Sequence, residues 1–251
     1  MKEEELLQRR LRELADRAYS QNVYTYTHFL NEYEQNLYRE MKQELSYAEP
    51  SLVGGHKHYT RAFVMFGSEN MFGYPGEIPL VCAKISPVFK KYAQELNHRD
   101  YLGAMMNLGI ERHQIGDILV DEESAYVFGF SHIGKLLKEQ LFKVRNTSVC
   151  VEVVEFEDTG FVQKYLRKEG FVASMRLDVL VSMAFGVSRT ASDKLLKGQK
   201  VFHNGKLSIS GGQKIKQEDI ISVRGYGKFL VEKLGKQSKK GRQFITLAVF
   251  Q

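Results

Sequence analysis

Arg176-Leu-Asp-Val-Leu-Val-Ser-Met-Ala-Phe-Gly186, followed by Ser188-Arg189-Thr-Ala-Ser-Asp-Lys-Leu-Leu-Lys197-Gly198, is the stretch on which the fold of this chain turns. Leu177, Leu180, Val181 and Ala184 recur at helical spacing and predict a short buried stripe, and Gly186 ends that helix. Ser188 reads as the N-cap of a second helix. This helix is expected to bury Ala191 and Leu195, to turn Arg189, Lys194 and Lys197 to solvent, and to stop at Gly198. A basic hairpin follows, Lys200-Val-Phe-His-Asn204-Gly205-Lys206, with Asn-Gly as the strongest short hairpin signal. Beyond it lie Ile220-Ile-Ser-Val223-Arg224-Gly-Tyr-Gly-Lys228-Phe229 and a closing strand over 244–250. Two short packed helices that begin with arginine, beside a basic hairpin, make a compact positive platform for several phosphates. Arginine suits this work because its planar fork pairs bidentately with phosphate oxygens.

Charge divides the chain the same way. The 251 residues have a net charge of +6, but 174–251 hold 15 Lys/Arg against 5 Asp/Glu, and 1–173 hold 21 against 25. Such a split marks a nucleic-acid-binding end joined to something else. Hydrophobic content of 43% and charged content of 26% are those of an ordinary globular protein, long enough for one to three domains. No apolar run approaches the roughly 18 residues of a membrane span. The opening Met1-Lys-Glu-Glu-Glu is too acidic for a signal peptide, so a cytoplasmic protein is expected. Cys82 and Cys150 form no Cys-x-x-Cys and read as reduced core thiols. The seven histidines show no metal-ligand spacing, and His56 and His58 read as surface residues. No cofactor and no metal are expected.

Working back toward the start, the fold class expected is α+β in three parts. An N-terminal helical segment, 1–58, carries helices over 3–19 (Leu7, Leu11, Leu14, Ala18 on one stripe) and over about 27–45 (Leu30, Tyr33, Leu37, Met41, Leu45), then a turn or linker from Tyr47 to His58. The middle, 59–160, has strand candidates at 61–66, 80–85, 117–120, 125–130 and 149–156, and helices at 101–108 and 133–142. From Leu80 onward this is strand, helix, strand, strand, helix, strand, the split βαβ pattern of ferredoxin-like and RRM-like domains. The third part is the module at 174–251.

That module resembles the alpha-L RNA-binding motif first described in a small-subunit ribosomal protein. The resemblance rests on Arg176-Leu177-Asp178, Ser188-Arg189, Ala191, Gly198, Val201, Asn204-Gly205, Asp219 and Val223-Arg224-Gly225. Glu218 stands where the motif usually has glycine, and Lys228 where it often has arginine. In the middle, His98-Arg99-Asp100-Tyr101-Leu102-Gly103-Ala104-Met105, Leu108-Gly109-Ile110, Arg112 and Ile115-Gly116-Asp117-Ile118-Leu119 are similar to the YlmH family of bacteria. The resemblance implies a ribosome-associated protein that docks on structured RNA, rRNA of the large subunit and peptidyl-tRNA, in rescue of stalled translation, with a link to cell division. The RNA-binding residues expected are Arg176, Arg189, Lys194, Lys197, Lys200, Arg224 and Lys228. For the two arginines the competing reading is a structural pair inside the module, such as Arg176 with Asp178 or Asp219.

Catalytic readings are weaker. His98-Arg99-Asp100 resembles a kinase catalytic loop, but that loop needs an asparagine where Met105 stands. A local structural role fits better, with Asp100 capping the following helix. Ser131-His-Ile-Gly-Lys135 resembles half of the nucleotide-binding signature of class I aminoacyl-tRNA synthetases, yet only about 40 residues separate it from the module. Ser131 reads instead as an N-cap. Pseudouridine synthases usually place their catalytic domain after such a motif, and Gly73-Tyr-Pro-Gly76 is no methyltransferase loop. The protein is therefore expected not to be an enzyme. The alternative is an RNA-modifying enzyme with its active site near His98, Arg99 and Asp100.

Overall fold

The computed structural model describes residues 2–57, 59–162 and 164–250. Its contacts divide the chain into two compact units, 1–161 and 162–251. His58, one of the paired loop histidines, lies outside the described residues.

In the first unit, α1 (Lys2–Gln21) begins with Glu3, Glu4 and Glu5, whose charges favour the positive end of the helix dipole, and buries Leu11, Leu14, Ala15 and Ala18. β1 (Thr25–Tyr26) precedes the range expected to be one long helix, of which α2 (Glu32–Met41) fills only the middle. The helix starts late because Asn31 caps it. Asn31 Oδ1 accepts from the Tyr33 and Glu34 amides at 2.9 and 3.0 Å, and Glu34 accepts from the Asn31 amide at 2.7 Å. Leu45 is buried as expected, but in a turn beyond the helix. The expected linker is also corrected, since β2 (Ser51–Gly54) pairs with β3 (Ala62–Phe66). Pro50 and Gly54-Gly55 bracket this short, half-buried strand, so turn residues masked it. β3 lies between β1 and β2 and belongs to the N-terminal sheet, and Val64 and Phe66 pack with α1 and α2.

After the single turn α3 (Glu69–Phe72) come β4 (Leu80–Pro87), α4 (His98–Asn107), β5 (Ile115–Val120), β6 (Ala125–Phe130), α5 (Ser131–Gln140), β7 (Lys143–Val144) and β8 (Thr147–Val154). They form an antiparallel sheet ordered β5-β6-β4-β8-β7, in which the connection through α4 skips one strand, β6, and the connection through α5 skips two, β4 and β8. Period-two alternation sorts the faces. Ala83, Ile85, Val127, Val149 and Val151 meet Tyr101 and Met105 of α4 and Ile133 and Leu137 of α5. Cys82, Tyr126 and Phe128 point the other way, under Phe156 and Phe161. Cys82 is buried, and burial pushes its thiol up to about 12, but Cys150 is exposed on that outward face, which corrects the expectation of two core thiols. Both are free.

The second unit starts ahead of the expected module, with β9 (Tyr165–Val172). Then come α6 (Leu177–Phe185), α7 (Arg189–Lys197), β10 (Val201–His203), β11 (Lys206–Leu207), β12 (Ile220–Val223), β13 (Gly227–Gln237) and β14 (Gln243–Phe250). The six strands run in the order β11-β10-β12-β13-β14-β9, all neighbours antiparallel. Leu177, Leu180, Val181 and Ala184 of α6 and Leu195 of α7 pack on Phe229, Val231, Ile245 and Leu247. The fold is α+β throughout.

Candidate nucleic-acid interface

Arg176 is the N-cap residue of α6, in extended backbone. Its Nε and Nη2 donate to the two carboxylate oxygens of Asp178 at 3.0 and 3.1 Å. Asp178 is buried, whereas the Arg176 side chain is 49% exposed, and the carboxylate hydrogen bond raises the guanidinium above its usual range. The amides that open α6 are also engaged, Leu177 with the Gln213 carbonyl at 3.0 Å and Asp178 with Gly211 at 3.2 Å. The structural pair left open by the sequence is the one that forms, with half of the Arg176 side chain still facing solvent. Gly211 is needed there, because a Cβ on it would stand 2.9 Å from that of Asp178.

Arg189 is the first residue of α7 and is exposed, and Ser188 Oγ caps the helix by accepting from the Ala191 amide at 3.1 Å. Ser192 Oγ donates to the Asp178 carbonyl at 3.0 Å, which fixes α7 against α6. Lys194 and Lys197 are exposed in the last turn, where cations suit the negative end of the dipole. Gly198 closes the helix with φ −77°, and the left-handed turn falls one residue later, on Gln199. Lys200 is held next to this helix end by its amide bond to Leu195 at 3.0 Å. Arg224 joins it, since the Arg224 amide donates to the Lys200 carbonyl at 2.8 Å and its guanidinium lies 4.7 Å from the Phe202 ring centre. Lys228, half-buried in β13, sits over the Phe250 ring at 5.0 Å.

The end of α7 and the β12–β13 turn thus gather Lys197, Lys200 and Arg224. Arg176 stands instead beside the 211–214 segment, bridged to Lys214. Lys214 went unnoticed in the sequence. Its signal was the alternation Lys214-Ile215-Lys216 about a buried isoleucine. The hairpin turn is as expected, with φ of 47° at Asn204 and 77° at Gly205. Asn204 also donates to Asp219 at 2.9 Å and accepts from the Ile220 amide at 2.8 Å, bracing the hairpin against β12.

In the first unit, His98-Arg99-Asp100 opens α4. The N-cap is Asn97, and Asp100 completes its capping box by accepting from the Asn97 amide at 3.0 Å while pairing with Arg145 at 3.3 Å. Ser131, by contrast, is not a cap. It is the first helical residue of α5, its amide donating to the Pro79 carbonyl at 3.0 Å. Arg112 and Asp117 of the middle motif are structural. Asp117 accepts from the Thr60 and Arg61 amides at 2.7 and 3.2 Å, and His56 Nε2 lies 3.3 Å away. Arg112 Nη1 donates to the Ile115 and Gly116 carbonyls, and burial brings its guanidinium down to about 10. A cleft of about 470 Å³ opens beside Arg61 and Arg112, at the far end of α4 from His98. Among the described residues no group of three or more His, Cys, Asp or Glu side chains is placed to hold a metal ion, and no helix is long and apolar enough to cross a membrane.

With this geometry in place, three comparisons bear on the chain. Residues 84–158 match the protein-family model described as "Putative RNA-binding domain in YlmH". Over 152 residues the chain is 26% identical to "Ribosome-associated protein quality control protein P2" of Bacillus subtilis (strain 168). That match covers 60% of this chain and 59% of the relative's length. In fold it is similar to "Cell division protein ylmH from Streptococcus pneumoniae", with a TM-score of 0.51 and 22% identity over 62% of this chain and 94% of that one.

Proposed function

From its similarity to the YlmH family we propose that this chain is a member of it, a non-enzymatic, cytoplasmic RNA-binding protein that acts on stalled ribosomes. It docks on structured RNA, rRNA of the large subunit together with peptidyl-tRNA. The observation that carries this reading is the segregation of charge between the two units. Residues 162–251 hold 18 Lys/Arg against 6 Asp/Glu, and 1–161 hold 18 against 24. A basic unit bearing exposed Arg189, Lys194, Lys197, Lys200 and Arg224 attracts phosphates and gains free energy by releasing their counterions. Arg176 and Lys228 extend this surface, one already oriented by Asp178 and the other by Phe250. The name of the B. subtilis relative, a ribosome-associated quality control protein, supports the same setting. The link to cell division stands in the name of the pneumococcal protein.

The test is sedimentation with purified large subunits across a salt series, beside duplex-RNA titrations. The protein should travel with the subunits at low salt and leave them at high salt. Arg189→Ala should weaken duplex binding about tenfold and reduce the magnitude of the salt slope by about 1, with the fold intact. Turnover of an RNA base that is lost on Asp100→Ala would overturn the reading in favour of an enzyme. So would Arg189→Ala binding as the parent does.

A further inference from the structure

The middle sheet cannot stack bases on its outward face. Tyr126 and Phe128 of β6 are 3% and 2% exposed, covered by Phe156 at ring distances of 5.9 and 4.9 Å, and Phe161 adds a further ring on Tyr126 at 5.3 Å. One end of the same sheet presents rings in the opposite condition. Where β4 leads into α4, Phe89 is 65% and Tyr92 76% exposed, and Phe142, between α5 and β7, is 66% exposed. Backbone bonds hold these segments side by side. The Val88 amide donates to the Ser148 carbonyl and the Val149 amide to the Phe142 carbonyl, both at 2.9 Å, while the Gln94 amide donates to Thr147 Oγ1 at 3.1 Å.

Cations interleave with the rings. Lys90, Lys91, Arg99, Lys143 and Arg145 are all exposed here, against Glu95, Asp100 and Glu123. Lys90 is tied to Glu123 at 2.5 Å and Arg145 to Asp100 at 3.3 Å, and the Lys91 ammonium lies 5.8 Å from the Tyr92 ring centre. A protein-docking patch of this size would be expected to lack lysine at its centre. Rings alternating with lysines suit a partner whose flat apolar groups alternate with negative charges, as unpaired nucleotides do.

We propose that this end of the middle domain binds single-stranded RNA, with Phe89 and Tyr92 stacking on unpaired bases and Lys91, Lys143 and Arg145 holding the flanking phosphates. The proposal rests on the reading of the chain as an RNA-binding protein, but on another surface and another form of RNA. The full chain is titrated with labelled oligouridine, with an abasic ribose-phosphate strand of equal length, and with duplex RNA. Tyr92→Ala should weaken oligouridine binding about tenfold and Phe89→Ala/Tyr92→Ala further, while Tyr92→Phe keeps parental affinity and the abasic strand registers none of the changes. The proposal is overturned if the double variant binds oligouridine as the parent does, if it loses affinity for both strands alike, or if Tyr92→Leu retains full affinity. A double variant that leaves the ribosome with its RNA affinities unchanged marks a protein contact and overturns it too. Failure of the docking reading looks different, as an unchanged duplex titration with Arg189→Ala.

Discussion

Glu218 holds a backbone conformation that side chains avoid. Its φ is +70°, and its amide donates to the Val231 carbonyl at 2.9 Å, so the turn before β12 needs the left-handed geometry that glycine supplies without strain. The alpha-L motif that this stretch resembles in sequence usually has glycine at this place, whereas here the left-handed turn carries glutamate. A left-handed residue with a Cβ costs about 1 kcal/mol, and glycine returns part of that gain through its freer unfolded state. Glu218→Gly should therefore stabilise the protein by up to about 1 kcal/mol, seen as a melting point a few degrees higher with RNA affinity unchanged. An earlier melt would mean that the Glu218 side chain makes a contact worth more than the strain. Single residues with strictly local jobs, such as Ser188 or Asn204-Gly205, were legible in the sequence because cap and turn chemistry need only their neighbours. Arg176 was not, since its role depends on Asp178 being buried, and burial is a property of the packed helices.

Asp219 organises the turn that precedes β12. Burial alone would raise its carboxyl, but hydrogen bonds from His203, from the Lys216 amide at 2.7 Å and from Asn204 at 2.9 Å outweigh burial and hold it below its usual range. A carboxylate depressed in this way contributes stability that is complete above its unfolded pKa of about 3.9 and is lost as the pH falls through the folded value. Asp219→Asn should cost about 2 kcal/mol at neutral pH, because it leaves donors without a full acceptor set, and should flatten the acid limb of stability against pH. Equal acid limbs in parent and variant, from urea titrations at several pH values, would sink this account. Among elements, those with strong periodicity were legible: the two helices of the basic unit, β6 to the residue, and the strand and helix order from β4 to β8 apart from the two-residue β7. The elements that escaped were short or half-exposed. β2 hides between turn residues, and β9 is half-buried or exposed at every position but Val172 and runs through a charged stretch, Arg167-Lys168-Glu169, that reads as loop. β13 carries two register irregularities that break its alternation.

At the scale of the molecule, the position of β9 redraws the boundary of the basic unit. β9 pairs with β14 along its whole length, from Tyr165 opposite Phe250 to Val172 opposite Gln243, and buries Val172 in the core. A fragment spanning 162–251 should fold alone and keep most of the affinity for duplex RNA. A fragment spanning 174–251, the boundary that the motif suggests, should expose the edge of β14 and aggregate or melt early. Residues 1–161, with acids in excess, should bind duplex RNA weakly. Circular dichroism and filter binding on the three fragments check all of this, and a well-folded 174–251 fragment would show that β9 is dispensable. The same strand order sets a timetable for folding. β9 is synthesised first of the six strands and β14 last, yet they are neighbours, so β9 waits without its partner while everything between them is made. Closing so long a loop is slow compared with forming the α6–α7 pair or the hairpin, which need only local contacts. The two arginines can therefore stand on formed helices while the sheet beneath them is still open, and the rigid platform dates from the arrival of its final strand.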